Sequence, residues 1–328
     1  MNQRHQQLKK HIDLMSDVRI LIIGDVMLDM YEWCDVRRIS PEAPVPIATV
    51  TGESFFLGGA GNVAHNAQAL GARVSLVSVV GDDTEGALIA RLLREKNIES
   101  DGLVVEENRQ TTLKKRIVSG SQQLLRIDRE VTSDISDATR VHVQSILLEK
   151  IIESDVIVLS DYCKGVLGDE IVSFVLTEAK KVNKKIFVDS KSSRLPRYSG
   201  VFVIKPNKSE AEHFAGEKFL EAYTNLEAVG HRLSQTLNAN IVITLGGDGI
   251  ATFENGNFNH HASDAQQVFD VSGAGDTVLS VLAVAVGTGA NLNDAVQIAN
   301  KAAGHVVGCL GTAVCEQDVL KGLFNIAE

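Results

Sequence analysis

The sequence predicts an α/β protein with a mostly parallel central sheet, helices on both faces and a small β lid. Three observations predict it. Short, mostly aliphatic runs recur at 18–23, 74–80, 156–159, 186–188, 201–204 and 241–245, as in strands buried on both faces. Helix-periodic segments lie between several of them, at 60–70, 85–96, 171–182 and 226–237, and strands that alternate with helices form parallel crossovers. Two further segments, 31–51 and 111–129, break this rhythm. They alternate polar and apolar residues with few helix formers, and are expected to form a small antiparallel sheet standing off the main one.

The chain has 328 residues, 44% of them hydrophobic, enough for one large α/β domain. No linker, low-complexity tract or internal repeat divides it, so residues 1–328 read as a single domain with a lid. A net charge of -10 argues against general attraction to nucleic acid, although local basic groups can still hold phosphates. No apolar stretch reaches membrane-spanning length, and the polar start at 1–10 is no signal peptide; a cytoplasmic location is expected. Cys34, Cys163, Cys309 and Cys315 show no C-x-x-C pairing and read as free thiols.

In chain order, a polar amphipathic helix over 2–16 is expected to pack on the outside. The strand at 18–23 ends in Gly24-Asp25, with Asp29 four residues on. Ligands of open α/β sheets bind beyond the carboxyl ends of strands, so both carboxylates are placed to meet sugar hydroxyls; loop capping is the alternative. Gly58-Gly59-Ala60-Gly61-Asn62, with Asn66 one turn on, would let a ligand approach closely and offer amides to it; the glycines could equally just pack a helix on the sheet. Asp161 with Lys164, in Ser160-Asp161-Tyr162-Cys163-Lys164-Gly165, and Asp189 with Lys191 terminate strands facing the same cleft. A lysine there is a mobile positive charge for phosphates, or a surface lysine. Asn207 and Glu210, in Lys205-Pro206-Asn207-Lys208-Ser209-Glu210, have the spacing of a capping box at a helix start. Thr244-Leu245-Gly246-Gly247-Asp248-Gly249 is a glycine-rich bend after another strand.

The most informative segment is Asp270-Val271-Ser272-Gly273-Ala274-Gly275-Asp276-Thr277, preceded by a strand end at 268–270 and followed by the apolar run 278–286. A glycine-rich turn feeding a helix N-terminus is an anion site, because unpaired N–H groups and the helix dipole both favour negative charge. Asp276 beside that cradle could take a proton from a nucleophilic hydroxyl, a pairing suited to phosphoryl transfer. On spacing alone a plain strand-to-helix turn stands equally open.

Gly-Ala-Gly-Asp after Asp-x-x resembles the carboxyl-terminal signature of the ribokinase-like (PfkB) carbohydrate kinases. The 58–66 glycine segment, read with Gly81-Asp82-Asp83, resembles their amino-terminal signature. The resemblance covers essentially the whole chain and implies a ribokinase-like three-layer sandwich. By position it implies that Asp276 is the general base and that the amides of Gly273, Ala274 and Gly275 are the anion hole. It implies ATP and Mg2+, with Asn207 and Glu210 organising the metal through water and Lys208 and Ser209 beside them. Thr244, Gly246, Gly247 and Gly249 would border the nucleotide, and Asn300 would meet the adenine. The sugar would meet Asp25, Asp29, Gly58, Gly59, Asn62, Asn66, Asp161, Lys164, Asp189 and Lys191.

Arg37-Arg38-Ile39-Ser40-Pro41-Glu42-Ala43-Pro44-Val45-Pro46 holds three of the five prolines beside two arginines. It reads either as a stiffened edge strand or as a rigid lid delivering guanidinium groups to a sugar phosphate. The run is similar to the lid of bacterial D-glycero-β-D-manno-heptose 7-phosphate kinases, and Leu124-Leu125-Arg126-Ile127-Asp128 and 160–165 fit that subgroup. The resemblance implies ATP-dependent phosphorylation of the anomeric hydroxyl to the 1,7-bisphosphate, in ADP-heptose synthesis for lipopolysaccharide, with Arg37, Arg38 and Arg126 at the sugar phosphate. It also implies a homodimer joined through the lid, whose sheet edges invite pairing. Many relatives carry a C-terminal nucleotidyltransferase domain; none is expected here, and a stand-alone kinase and the kinase half of a longer protein both remain open. The rivals are a kinase of another sugar and a non-catalytic sugar-phosphate sensor. A dehydrogenase is disfavoured, because no G-x-G-x-x-G follows the first strand.

Overall fold

The computed structural model describes residues 3–265, 271–309 and 313–324; the strand end expected at 268–270 lies outside them. After α1 (Gln3–Asp13) the chain enters β1 (Arg19–Gly24), then the long strands β2 (Val26–Ile39) and β3 (Pro46–Gly59), and returns through α2 (Ala60–Ala69) to β4 (Arg73–Gly81). α3 (Thr84–Glu95) and β5 (Glu99–Glu106) follow, then β6 (Leu113–Ser119) and β7 (Gln122–Arg129). The α/β rhythm resumes with α4 (Asp137–Glu153), β8 (Val156–Asp161), α5 (Asp169–Lys181), β9 (Lys185–Ser190) and β10 (Val203–Ile204). Next come α6 (Lys208–Ala215), α7 (Leu226–Leu237), β11 (Asn240–Thr244) and the hairpin β12 (Ile250–Glu254) and β13 (Asn257–His261). The last described elements are α8 (Ala274–Gly287), α9 (Leu292–Val306) and α10 (Gln317–Leu323).

Nine strands form the main sheet in the order β13-β12-β11-β10-β9-β8-β1-β4-β5. From β5 to β11 all neighbours run parallel, and only the hairpin at the other edge is antiparallel. Ile20 to Ile23 of β1 are at most 1% exposed, since both faces of this central strand are covered. One core joins β1 and β4 to α2, α8 and α9; the other joins the opposite face to α4, α5 and α7. Every residue from Val278 to Val286 is buried, so α8 is apolar all round and is a core helix, as its uninterrupted run requires. Each of its valines and leucines contributes about 1.5–3 kcal/mol through burial.

The remaining strands form a four-stranded lid, in the order β3-β2-β6-β7. β2 pairs β3 and β6 pairs β7 antiparallel, but β2 and β6 run parallel, so the lid is a mixed sheet and not the purely antiparallel one expected. Its strands also reach further than expected: β2 and β3 are 14 residues each, continuous with the ends at Gly24 and Gly59. The parallel order turns the carboxyl ends of β1, β8, β9, β10 and β11 to one side, which is where the predicted motifs gather.

Candidate active site

Gly273 has φ 82°, the left-handed conformation open to glycine, and starts α8. Of the amides that follow, that of Ala274 donates to Val271 O at 3.3 Å, and that of Gly275 belongs to the first turn, where no intrahelical carbonyl is in reach. Asp276 stands in the same turn, only 7% exposed. Its Oδ2 accepts from Asn62 Nδ2 at 2.7 Å, and its Oδ1 accepts from the Tyr162 hydroxyl at 2.9 Å. Burial pushes the Asp276 carboxyl up to about 6; the Asn62 bond opposes this, nearby Asp189 adds to it, and Tyr162 and Lys205 oppose it again.

α2 holds this turn in place. Asn66 donates to the Asn62 carbonyl at 2.9 Å and accepts from the Thr277 hydroxyl at 2.7 Å, and Ser280 donates to Val63 O at 2.9 Å. Asn66 thus joins α2 to α8.

A network of paired charges stands in the same cleft. Lys205 Nζ lies 2.9 Å from Asp189 Oδ2, with both side chains at most 3% exposed. Lys191 Nζ bridges Asp189 Oδ1 at 3.2 Å and Glu210 Oε1 at 2.7 Å. Burial alone would drive Asp189 up, but Lys205 and Lys191 hold it below the usual carboxylate range. Burial likewise opposes the charge on Lys191, and Asp189 and Glu210 overcome it. Asn207 and Glu210 form the complete capping box of α6: Asn207 Oδ1 accepts from Glu210 N at 2.9 Å and Glu210 Oε2 accepts from Asn207 N at 2.8 Å.

These parts border a cavity of about 680 Å³. Its lining includes Asp189, Lys191, Lys205, Asn207, Lys208, Ser209, Thr244, the glycine bend at Gly246, Gly247 and Gly249, the turn 273–276, and Asn300. Gly246 and Gly247 present open backbone, with nothing within 4 Å of an added Cβ, whereas Gly249 (φ 90°) would drive one into the His261 carbonyl. Asn300 donates to Ala262 O at 2.6 Å, so its amide braces the segment leading from β13 at the rim of the cavity.

Several other predicted residues do not line the cavity. Asp25 is 1% exposed, and its carboxylate accepts from the backbone N–H groups of Tyr162, Lys164 and Val166 at 2.8, 3.0 and 3.1 Å. It is a cap for the loop after β8, the alternative given by the sequence. Burial pushes it up to about 6 against those three bonds. Asp161 is likewise internal, accepting from Ser190, Arg197 and Tyr198 at 2.5, 2.5 and 2.7 Å. Asp29 pairs with Arg116 across β2 and β6, in the 8% exposed root of the lid. Gly58 and Gly59 let β2 and β3 close together: a Cβ on Gly58 would strike the Asp29 carboxylate, and one on Gly59 (φ 57°) the Asp25 carbonyl. Lys164 pairs with Glu130 at 2.8 Å. Arg126 is bidentate to its own strand neighbour Asp128 at 2.8 and 2.9 Å. Arg37 and Arg38 stand on the exposed outer part of β2, Arg37 paired with Asp35 at 2.5 Å.

Sequence reasoning missed two side chains in the cleft. Lys205 directly follows the aliphatic run 201–204, and a lysine closing a buried strand was a usable signal. Tyr162 sat inside a motif already singled out, but nothing in spacing showed that its hydroxyl would reach Asp276. Among the described residues no group of three or more His, Cys, Asp and Glu could hold a metal, and no helix is long and apolar enough to cross a membrane.

A parallel sheet whose strand ends gather a glycine-led helix N-terminus, a buried carboxylate and two paired lysines is an arrangement suited to phosphoryl transfer. The comparisons agree: the pfkB family carbohydrate kinase model matches residues 18–319, and the chain belongs to that family and is a sugar kinase. Bifunctional protein HldE of Caulobacter sp. (strain K31) is 45% identical over 311 residues, 94% of this chain and 63% of that protein. The one from Desulfatibacillum aliphaticivorans is 41% identical over 313 residues, 94% of this chain and 64% of its own length. The chain therefore spans slightly less than two thirds of these relatives. Among solved structures, an Arabidopsis thaliana ribokinase complexed with ribose and ATP superposes with TM-score 0.75 at 19% identity, covering 94% of this chain and 99% of that one. The phosphofructokinase-2 of Escherichia coli complexed with fructose-6-phosphate gives 0.77 at 19% identity, covering 94% and 98%.

Proposed function

We propose that the protein transfers the γ-phosphoryl group of ATP to O1 of D-glycero-β-D-manno-heptose 7-phosphate, giving the 1,7-bisphosphate in the cytoplasmic route to ADP-heptose and lipopolysaccharide core. The observation that carries the reaction is Asp276. It is a buried carboxylate with a raised proton affinity, set in the first turn of a helix whose leading amides border the cavity. The likeness to the HldE proteins and the proline-rich lid segment support the heptose as substrate.

In the step proposed, Asp276 takes the proton of the O1 hydroxyl as that oxygen attacks the γ-phosphorus. The bond to the bridging oxygen of ADP breaks, and ADP leaves with that electron pair. The backbone amides at 273–275 stabilise charge spreading over the transferred phosphoryl oxygens, which is where most of the catalysis of such a reaction lies. Lys205 and Lys191 line the same cavity and would neutralise the nucleotide phosphates. The glycine bend 246–249, with Thr244, Lys208, Ser209 and Asn300 nearby, would take the rest of the nucleotide.

The residues fit a magnesium that arrives with the nucleotide better than one caged by protein. No acidic cluster is present among the described residues, and magnesium keeps its waters and accepts one or two carboxylates plus substrate phosphates. Glu210 and Asn207 are the side chains that would hold it through water. When bound it would supply Lewis-acid neutralisation of the phosphate oxygens. The lid is proposed to pair with that of a second copy.

A coupled ADP-release assay with ATP-magnesium and a panel of phosphorylated and free sugars tests this. Selective turnover of the heptose 7-phosphate is expected. Selective turnover of another sugar would discard the substrate, and silence across the panel would favour a sugar-phosphate sensor.

A further inference from the structure

Tyr162 touches the Asp276 carboxylate from outside the two glycine signatures. Its loop follows β8 and is fixed from beneath: the Asp25 carboxylate caps the N–H groups of residues 162, 164 and 166. Tyr162 is therefore presented by a buried, fully bonded support. Two lysines lie over its ring, Lys114 Nζ from β6 and Lys191 Nζ from beyond β9, each 5.7 Å from the centroid. Its hydroxyl reaches Asp276 Oδ1 at 2.9 Å, while Asn62 holds Oδ2 at 2.7 Å.

A carboxylate has about four lone-pair sites on its two oxygens. One donor on each oxygen fixes the plane of the group and leaves the other sites for a substrate hydroxyl. We propose that Tyr162 is a positioning residue for the phosphoryl-transfer reaction, orienting Asp276 through this hydrogen bond and keeping it ionised for proton uptake. This rests on the reading of Asp276 as the base.

The direction of the effect follows from the donor. A phenol that donates to a carboxylate stabilises the ionised form, so removing the hydroxyl makes Asp276 harder to ionise. The other groups facing Asp276 and Tyr162 remain in place: Asp189 on β9, Lys205 after β10, Asn62 on α2, Asp29 on β2, and the two lysines over the ring. The tyrosine itself is held well above the usual phenol range, by burial first and Asp276 second. It stays a donor throughout the working pH range.

The test is Tyr162→Phe, which keeps the ring beneath the lysines, read in two ways on the whole chain. The first follows carboxyl carbons in 13C-aspartate-labelled protein without ligand, the Asp276 signal being the one lost in Asp276→Asn. Its midpoint is expected to rise by roughly one pH unit in Tyr162→Phe, the size of one hydrogen bond to a charged group. The second is the pH profile of kcat/KM with ATP-magnesium and D-glycero-D-manno-heptose 7-phosphate, whose acid limb should move up with it. An unmoved Asp276 midpoint in folded Tyr162→Phe overturns the proposal while leaving the base assignment standing. Wild-type turnover in Asp276→Asn overturns the base assignment, and the positioning role with it.

Discussion

Asn62 Nδ2 lies 2.7 Å from Asp276 Oδ2, and this bond ties the glycine-led helix α2 to the first turn of α8. The two signatures of the sequence, more than two hundred residues apart, meet at one carboxylate. The glycine segment at 58–61 thereby acquires a mechanical role. It brings α2 close enough to β2 and β3 for Asn62 to reach the base.

Asp276→Asn is expected to lower turnover by about 10²–10⁴-fold, the usual contribution of a general base, while ATP still binds. Steady-state kinetics beside calorimetric ATP binding decides this. Near-wild-type turnover would remove Asp276 from the mechanism.

The raised affinity of Asp276 for its proton gives a pH signature. Turnover on the sugar phosphate should fall with a midpoint near 6 as pH drops, because the protonated carboxyl accepts no proton. Stability moves the other way. The folded-state value, about 6, lies above the ordinary 3.8, so stability associated with Asp276 is present below about pH 4 and lost as pH rises through 6. The full loss is about 3 kcal/mol. Melting curves of Asp276→Asn against wild type should therefore differ increasingly in the variant's favour between pH 4 and 8, and a pH-independent difference would contradict the burial argument.

Gly273→Ala combines two faults. The residue sits at φ 82°, and a Cβ there would lie 2.9 Å from Asn62 Nδ2. The backbone cost is about 1–2 kcal/mol. The displaced Asn62 amide would loosen the base, and small misplacements of a reacting group cost up to about 10²-fold in rate. A large fall in kcat with a small fall in Tm is expected. Unchanged kcat would mean that the Asn62 contact is dispensable.

Asp25→Ala probes the cap of the loop after β8. It leaves three backbone N–H groups of the 162–166 loop without their acceptor, each costing about 1–3 kcal/mol if unsatisfied. Thermal unfolding should show a loss of several degrees, and kcat should fall as Tyr162 shifts. A variant as stable as wild type would refute the capping role.

These outcomes show which parts of the molecule could be read from the chain. The parallel sheet was legible because aliphatic runs such as 18–23 and 156–159 are buried on both faces, and no other fold class makes that pattern at such spacing. The helix at 226–237 matched its periodic segment residue for residue. β10 shrank to two residues, Val203 and Ile204, because the Tyr198–Val201 turn takes up the preceding residues. The cavity-lining turns were legible because glycines mark places where backbone meets a ligand. The partners of Asp25, Asp161 and Asn66 were not legible, for one reason. A buried polar residue near the strand ends can face the ligand or the neighbouring loop, and only the tertiary partners distinguish the two. The β2–β6 parallel ladder was invisible, since alternation shows which face is buried but not which strand lies beside it.

Arg37 and Arg38 are proposed to serve the sugar phosphate from the lid. Both are exposed, and Arg37 is paired with the half-exposed Asp35, so the guanidinium groups are placed at the surface where an anion can reach them. Replacing either by Ala should raise KM for the sugar phosphate several-fold while KM for ATP stays constant. Equal effects on both ligands, or none, would assign these arginines to the shape of the lid alone.

The outer lid strand carries the last prediction. β7 is exposed along nearly its whole length, with Leu125 and Ile127 at 56% and 47% exposure. Two residues apart on a strand, they lie on one face. Trp33 on β2 adds a further 39% exposed aromatic to the same lid sheet. Exposed apolar strands at a sheet edge favour pairing with another copy. The proposed lid-to-lid dimer should give twice the chain mass by light scattering, and Leu125→Asp with Ile127→Asp should halve it without changing the far-ultraviolet circular dichroism. A wild-type monomer at micromolar concentration, or a double variant of unchanged mass, would move any self-association away from the lid.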